Sequence, residues 1–171
     1  MQSSLTTSPD YDIRYSRITD ISYLRTWIID PRVIQYFPFQ HFQAHEIEFF
    51  TNNWISFSKY QASLTAIYNQ KPCGIATIFL LPYKKVAHIG MLHILVDPIW
   101  QKKGIGSSLI RNIKHHAKNY FHLEFLNIEI MENNPIVSML KSFGFYEVFR
   151  QEGFYKVDKT YLARITLEVA L

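Results

Sequence analysis

The stretch Ile94-Leu95-Val96-Asp97-Pro98-Ile99-Trp100-Gln101-Lys102-Lys103-Gly104-Ile105-Gly106-Ser107-Ser108-Leu109 decides how the rest of the chain is read. An apolar strand runs into a loop punctuated by glycines, and the loop opens straight into an amphipathic helix. Gly104 and Gly106 carry no side chain to block an approaching group. The first N–H groups of a helix have no partner inside it, and they converge with the positive end of the helix dipole. Such a turn is a site for a phosphate or pyrophosphate, and Lys102 and Lys103 add charge. Two glycines also serve a strand-to-helix turn alone, but the flanking pattern is more specific than a bare turn needs. The P-loop pattern G-x-x-x-x-G-K-[ST] is missing. The dinucleotide fingerprint fails as well, because the third glycine and the early βαβ position are absent.

Upstream of this stretch, residues 86–96 are nearly continuous in apolar character, as a central strand covered on both faces is. Residues 63–68 and 74–81 read as strands too, set off by turns at 69–72 and 82–85, so the three form an antiparallel meander. Nearer the N-terminus, residues 12–18 alternate as a strand does. Thr19 or Asp20 can cap a following helix with Ile21, Leu24, Trp27 and Ile28 at helical spacing. Asp30-Pro31 punctuates it, Tyr36, Phe37, Phe39 and Phe42 stand close together, and residues 44–57 read as a second helix. Residues 1–10 read as a polar, mobile lead-in, leaving 11–171 as one domain.

Downstream, the helix runs to about residue 120 with Ile105, Leu109, Ile113 and Ala117 on one side. A strand at 125–131 follows, then a short helix at 135–143 with Pro at its first turn and Gly144 as its stop. Strands at 145–149 and 161–169 close the chain, joined through a hairpin region at 153–159. The expected order is β-α-α-β-β-β-α-β-α-β-β, an α/β fold with a mixed, mostly antiparallel sheet and flanking helices.

Composition narrows the function classes. The 171 residues are 48% hydrophobic and 19% charged, a globular balance that does not suit wholesale disorder. Cys73 is the only cysteine, so an intrachain disulfide and a cysteine-based zinc site are both out. No apolar run reaches the length of about 18 residues that a membrane-spanning helix needs, and the N-terminus lacks the pattern of a secretory signal. A cytoplasmic protein is the default. The net charge of +4 suits an anionic ligand. The basic residues are dispersed apart from Lys84-Lys85 and Lys102-Lys103, so charge alone is no nucleic-acid signature.

With these elements in order, the chain resembles the GNAT superfamily of acyl-CoA-dependent N-acetyltransferases. The signature loop Q/R-x-x-G-x-G/A is matched by Gln101, Lys102, Lys103, Gly104, Ile105 and Gly106, and the preceding Val96-Asp97-Pro98 is typical of it. Further on, Asn133 stands in the family's Asn position and Gly144-Phe145 in its Gly-Phe position. The resemblance implies a GNAT-like fold over nearly the whole chain and acetyl-CoA as co-substrate, with no metal. It implies that backbone amides from Lys102 to Ser107, Ile105 among them, hold the CoA pyrophosphate. It further implies that the edge of Leu95 and Val96 pairs with the pantetheine arm where two strands splay apart, and that Asn133 reaches that arm. The tyrosine that often protonates the departing thiolate falls at Leu140, which has no proton to give.

The implied reaction is transfer of an acetyl group to a primary amine, on a small molecule, a protein N-terminus or a lysine, by direct attack in a ternary complex. It calls for a base near the working pH and an oxyanion donor, the latter placed by the resemblance at about Val96. His93 titrates in the right range and precedes the loop. His88 lies on the other strand face if pairing is regular, although Gly90 can mark a bulge. Glu129 and Glu132 sit on or after the next strand, and Glu132 can line the amine pocket. Tyr155, in the late hairpin, is a replacement acid. Each of these also has an ordinary structural reading, as has the aromatic set as core or lid. His115-His116 diverge on a helix and make no metal pair. Two other function classes stay open: a GNAT-like module that holds CoA without transfer, motivated by Leu140, and, more weakly, a nucleic-acid-binding domain. No nucleic-acid or membrane partner is expected, and a homodimer through the late strands is possible.

Overall fold

The computed structural model describes residues 11–39 and 44–171. The lead-in over 1–10 and the Phe42 member of the aromatic set lie outside the described residues. The strands are β1 (Tyr11–Tyr15), β2 (Ser63–Tyr68), β3 (Lys71–Leu80), β4 (Ile89–Val96), β5 (Phe125–Met131), β6 (Tyr146–Val157) and β7 (Thr160–Ala170). The helices are α1 (Ile21–Ile28), α2 (Pro31–Ile34), α3 (Ala44–Ser56), α4 (Ile105–Asn119) and α5 (Ile136–Ser142). One seven-stranded sheet runs in the order β1-β2-β3-β4-β5-β7-β6. All neighbours are antiparallel except β4 and β5.

Alternation along β4 builds two cores. Leu92, with Ile94 and Val96, joins the cluster under α4, where Ile105, Leu109, Ile110 and Ile113 are buried. Leu95 joins a second cluster on the opposite face, with Leu24, Trp27, Ile28, Ile47 and Trp54 of α1 and α3. That second cluster includes no residue of β5, β6 or β7. The helices α1 to α3 therefore cover the β2–β4 side of the sheet and leave the same face of the C-terminal strands open. All of β6 is exposed but for half-buried Tyr155.

Several local expectations change. Three helices, not two, precede β2. The Asp30 carboxylate accepts the Arg32 N–H, and Pro31 opens the helix, so the Asp30-Pro31 punctuation starts α2 instead of only ending α1. Asp20 does not cap α1 with its side chain. It is buried, and both its oxygens are bound by Arg14 at 2.8 Å. Gly90 marks no bulge, because β3 and β4 pair without a register shift. A Cβ there would lie 2.5 Å from Ile78 Cγ2, so the glycine serves close packing. The last hairpin is longer than expected: β6 continues through Gly153 (φ 65°) and turns at Asp158 (φ 54°), with register shifts in β6. Pro135 caps α5 from just outside it instead of sitting in its first turn. Gly144, at φ 88°, ends α5 in the left-handed region.

Candidate active site

The site starts from a failure of pairing. The parallel ladder between β4 and β5 holds only at Ile89–Phe125, Gly90–Leu126 and Met91–Asn127. Beyond it the strands part, and among the described residues the β4 edge from Leu92 to Val96 has no strand partner on that side. An unpaired edge offers backbone donors and acceptors to any extended group that enters. The edge leads directly into the glycine loop. Gly104 caps α4 in the left-handed conformation (φ 87°), so the cap position offers the helix no side chain. Lys102 is also left-handed, at φ 58°.

A cleft of about 680 Å³ joins these parts. Leu95, Val96, Gln101, Lys102, Gly104, Gly106 and Ser107 line it. The remaining residues proposed from the sequence lie elsewhere. The Ile105 side chain is buried in the core under α4, and the Lys103 ammonium sits 4.5 Å from the Trp100 ring, off the cleft wall. Asn133 is exposed, and its neighbour Asn134 lines the cleft instead. Asn134 Oδ1 accepts the Ile136 N–H at 3.1 Å, which fixes it at the start of α5. The Asn-Asn-Pro sequence offers two candidates for one position, and only the turn geometry selects between them. Sequence reasoning also missed Arg32 and Gln35 of the opposite wall and Ser138 and Met139 of α5. Tyr36 and Phe37 of the aromatic set do reach the cleft.

The glycines fit a close-lying anion. A Cβ on Gly106 would stand 3.3 Å from Met139 Sδ and 3.7 Å from Val96 Cγ2, at the cleft wall. The described lining residues include Lys102 and Arg32, the latter paired with Asp30 at 2.7 and 2.9 Å, and no carboxylate. Gln101 Nε2 donates to the Val96 carbonyl at 3.2 Å and ties the loop to the end of β4.

The three residues singled out for acid–base work do not share one environment. His93 lies on the α3 side of β4, stacked 4.2 Å from Phe79 and edge-on to Trp54 at 5.2 Å. Burial pushes its pKa down to about 4. Glu132 accepts the Ala163 N–H at 2.8 Å and pairs with Arg150, which hold its carboxyl below the usual range. Its lone pairs are engaged by the sheet and not by the cleft. Tyr155 lies opposite Leu162 on the open face, and burial, with the Glu129 charge next, raises its pKa. Leu140 is fully buried, so that position faces no solvent. Among the described residues no His/Cys/Asp/Glu group could hold a metal ion, and no helix is long and apolar enough to cross a membrane.

Known proteins share this fold. The family model described as the acetyltransferase (GNAT) family matches residues 24–145. The L-amino acid N-acetyltransferase AaaT of Escherichia coli (strain K12) is 25% identical over 99 residues, 54% of this chain and 60% of that protein's length. An N-acetyltransferase from Staphylococcus aureus Mu50 superposes with a TM-score of 0.78 at 18% identity, covering 94% of this chain and 98% of the other. Ribosomal-protein-alanine N-acetyltransferase from Brucella melitensis gives 0.76 at 18% identity, over 93% and 99%. Spermidine N-acetyltransferase from Vibrio cholerae, solved with CoA and spermine, gives 0.74 at 14% identity, over 94% and 95%. With its parted strands, its glycine loop and a family match over more than two-thirds of its length, the chain belongs to the GNAT acetyltransferase family.

Proposed function

We propose that this protein is an N-acetyltransferase that uses acetyl-CoA to acetylate a primary amine. The observation that carries the reading is the continuity of an unpaired β4 edge, Leu92 to Val96, with the uncapped start of α4. The edge suits an extended amide-bearing arm, and the helix start suits a pyrophosphate.

Acetyl-CoA, when bound, supplies a thioester whose carbonyl is open to a neutral amine. The chain's own groups have four tasks. The amides of Gly104 to Ser107, with Lys102, bind the phosphates, and Asn134 serves the arm from the turn before α5. The Val96 backbone N–H stabilises negative charge on the carbonyl oxygen in this reading. His93 stays neutral at working pH because burial holds it near 4. Packed among Phe50, Trp54 and Phe79 and not among the cleft lining, it backs the acceptor wall, and the proton that the attacking amine loses passes to solvent. Tyr155 keeps its proton, since its pKa is raised, and is the candidate donor to the departing thiolate that Leu140 cannot serve.

For the acceptor, the absence of carboxylates among the described lining residues speaks against a polyamine. The Arg32 guanidinium is engaged by Asp30 through Nε at 2.9 Å and Nη2 at 2.7 Å, so the carboxylate-bearing amine we favour rests on the lack of a lining carboxylate and on the apolar surface of Val33, Tyr36 and Phe37. Free L-amino acids, the class named for the E. coli relative, fit that description. The setting is cytoplasmic, and the exposed β6 edge leaves room for a second copy. The Leu140 observation favours one other reading, a CoA-binding module without transfer.

Thermal melting with acetyl-CoA, CoA and ATP, followed by thiol release against free L-amino acids, peptide N-termini and spermidine, tests these statements together. Ligand at about 100 times its Kd stabilises by about 2.7 kcal/mol. Stabilisation by both CoA species with thiol release on amino acids is the expected result. Stabilisation without release on any amine favours the binding module, and no stabilisation by either CoA species overturns the proposal.

A further inference from the structure

A chain of buried hydroxyls crosses the β1–β3 part of the sheet on its α3 side. Trp54 Nε1–H donates to Thr77 Oγ1 at 2.9 Å. Thr77 Oγ1 lies 2.6 Å from Ser63 Oγ, Ser63 Oγ 2.8 Å from Ser16 Oγ, and Ser16 Oγ 2.7 Å from Thr65 Oγ1. Thr65 Oγ1 donates to Asp20 Oδ2 at 2.9 Å, and Arg14 holds both Asp20 oxygens. All four hydroxyl residues are buried, as are Trp54 and Asp20.

The ends force the direction of every link. An indole N–H only donates and a carboxylate only accepts. Thr77 therefore accepts from Trp54 and passes its own proton to Ser63. At the other end Thr65 donates to Asp20, so it accepts from Ser16, and Ser16 accepts from Ser63. A contact from Ser63 Oγ to the Ala76 carbonyl, at 3.5 Å, is too long to compete. Each hydroxyl donates once and accepts once, so no alternative pattern satisfies the set. A buried polar network that is fully satisfied specifies one arrangement of what it holds.

What it holds is Trp54. Phe50 meets Trp54 edge-on at 5.7 Å, and Phe37 meets Phe50 edge-on at 5.8 Å. Phe37 lines the cleft. We propose that the hydroxyl chain is a positioning device for the acceptor side of the cleft, making Thr77 and Ser63 positioning residues that set the Phe37 wall through Trp54 and Phe50 without reaching the cleft themselves. This inference rests on the reading above that Phe37 stands at the acceptor end.

The test uses the full chain with 4-fluorophenylalanine incorporated, the Phe37 fluorine signal being assigned from Phe37→Leu. Thr77→Val removes the hydroxyl at nearly constant shape, and Thr77→Ser restores it. The expected result is a Phe37 signal that shifts or broadens in Thr77→Val and returns in Thr77→Ser, with acetyl-CoA affinity unchanged in both. With a mixture of the twenty L-amino acids as acceptor, Thr77→Val raises the acceptor KM about fivefold and leaves kcat near wild type, the signature of lost acceptor positioning. An unmoved Phe37 signal in folded Thr77→Val, or an unmoved acceptor KM, overturns the inference. Should Thr77→Val not fold, Ser63→Ala breaks the next link and is read the same way. If the wild type turns over no amino acid, the acceptor reading fails, and the fluorine spectrum alone still decides whether the chain positions the wall.

Discussion

The two ends of the cleft are built from different materials. The loop end is backbone: an open strand edge, two glycines and the first amides of α4. The acceptor end is side chain: Val33, Tyr36 and Phe37, backed by the ring cluster of Phe50, Trp54, Phe79 and His93. A site made of backbone tolerates change in most side chains and fails when an unwanted one is added. A site made of stacked rings fails by degrees, as each ring shifts its neighbour. The difference teaches why one end suits an invariant ligand and the other a variable one.

The largest expected effect breaks the loop end alone. Gly106→Glu places a carboxylate at the proposed phosphate site. A Cβ at that position crowds the flexible end of Met139 at 3.3 Å and meets Val96 at an ordinary 3.7 Å, so the fold tolerates it, whereas a side chain at Gly104 is strained by its φ of 87°. The variant is expected to melt near wild type and to lose acetyl-CoA affinity about 1,000-fold, roughly 4 kcal/mol, by calorimetry. Next comes Tyr155→Phe. If Tyr155 is the proton donor, kcat falls about 100-fold while acetyl-CoA binding is kept, measured by thiol release.

How much of this was legible follows the same division. The loop end is a local pattern, so the run from Leu95 to Ser107 showed it, along with the meander before it and α4 after it. The acceptor end depends on contacts far apart in sequence. Nothing near Phe37 says that it meets Phe50, and nothing near Trp54 says that Thr77 takes its N–H. Which of two adjacent asparagines lines the cleft was not legible, because they differ only in how the turn aims them, and it is Asn134. Glu132 looked like a pocket carboxylate because its partner, Arg150, comes from a different strand. The length of β6 escaped because Gly153 reads as a turn while the structure uses it inside a bulged strand.

A smaller effect sharpens the acceptor end through pH. His93 has its pKa held near 4 in the folded chain, against an ordinary value of 6.5. The unfolded chain therefore binds the His93 proton at a higher pH than the folded chain does. Stability from neutral His93 is complete above about pH 6.5 and is lost as pH falls towards 4, with no further loss below. Urea midpoints at pH 7.5 and 5 are expected to differ less in His93→Leu than in wild type. Equal differences would contradict the burial of a neutral imidazole among the rings. The smallest effect belongs to Lys102→Gln at the loop. An exposed cation near a phosphate contributes about 1 kcal/mol or less, so acetyl-CoA affinity falls a few-fold at low salt and the gap closes as salt rises.

The most direct test of the central claim is amide hydrogen exchange of the full chain with and without CoA. An added strand and a seated pyrophosphate cover different amides: the Ile94 and Val96 N–H groups, which turn away from β3, and the first amides of α4. The account predicts that CoA slows exchange in two segments, the β4 edge from Leu92 to Val96 and the loop from Gly104 to Ser107, while β6 exchanges as before. Unchanged exchange in both segments at saturating CoA, or protection confined to β6, would contradict it.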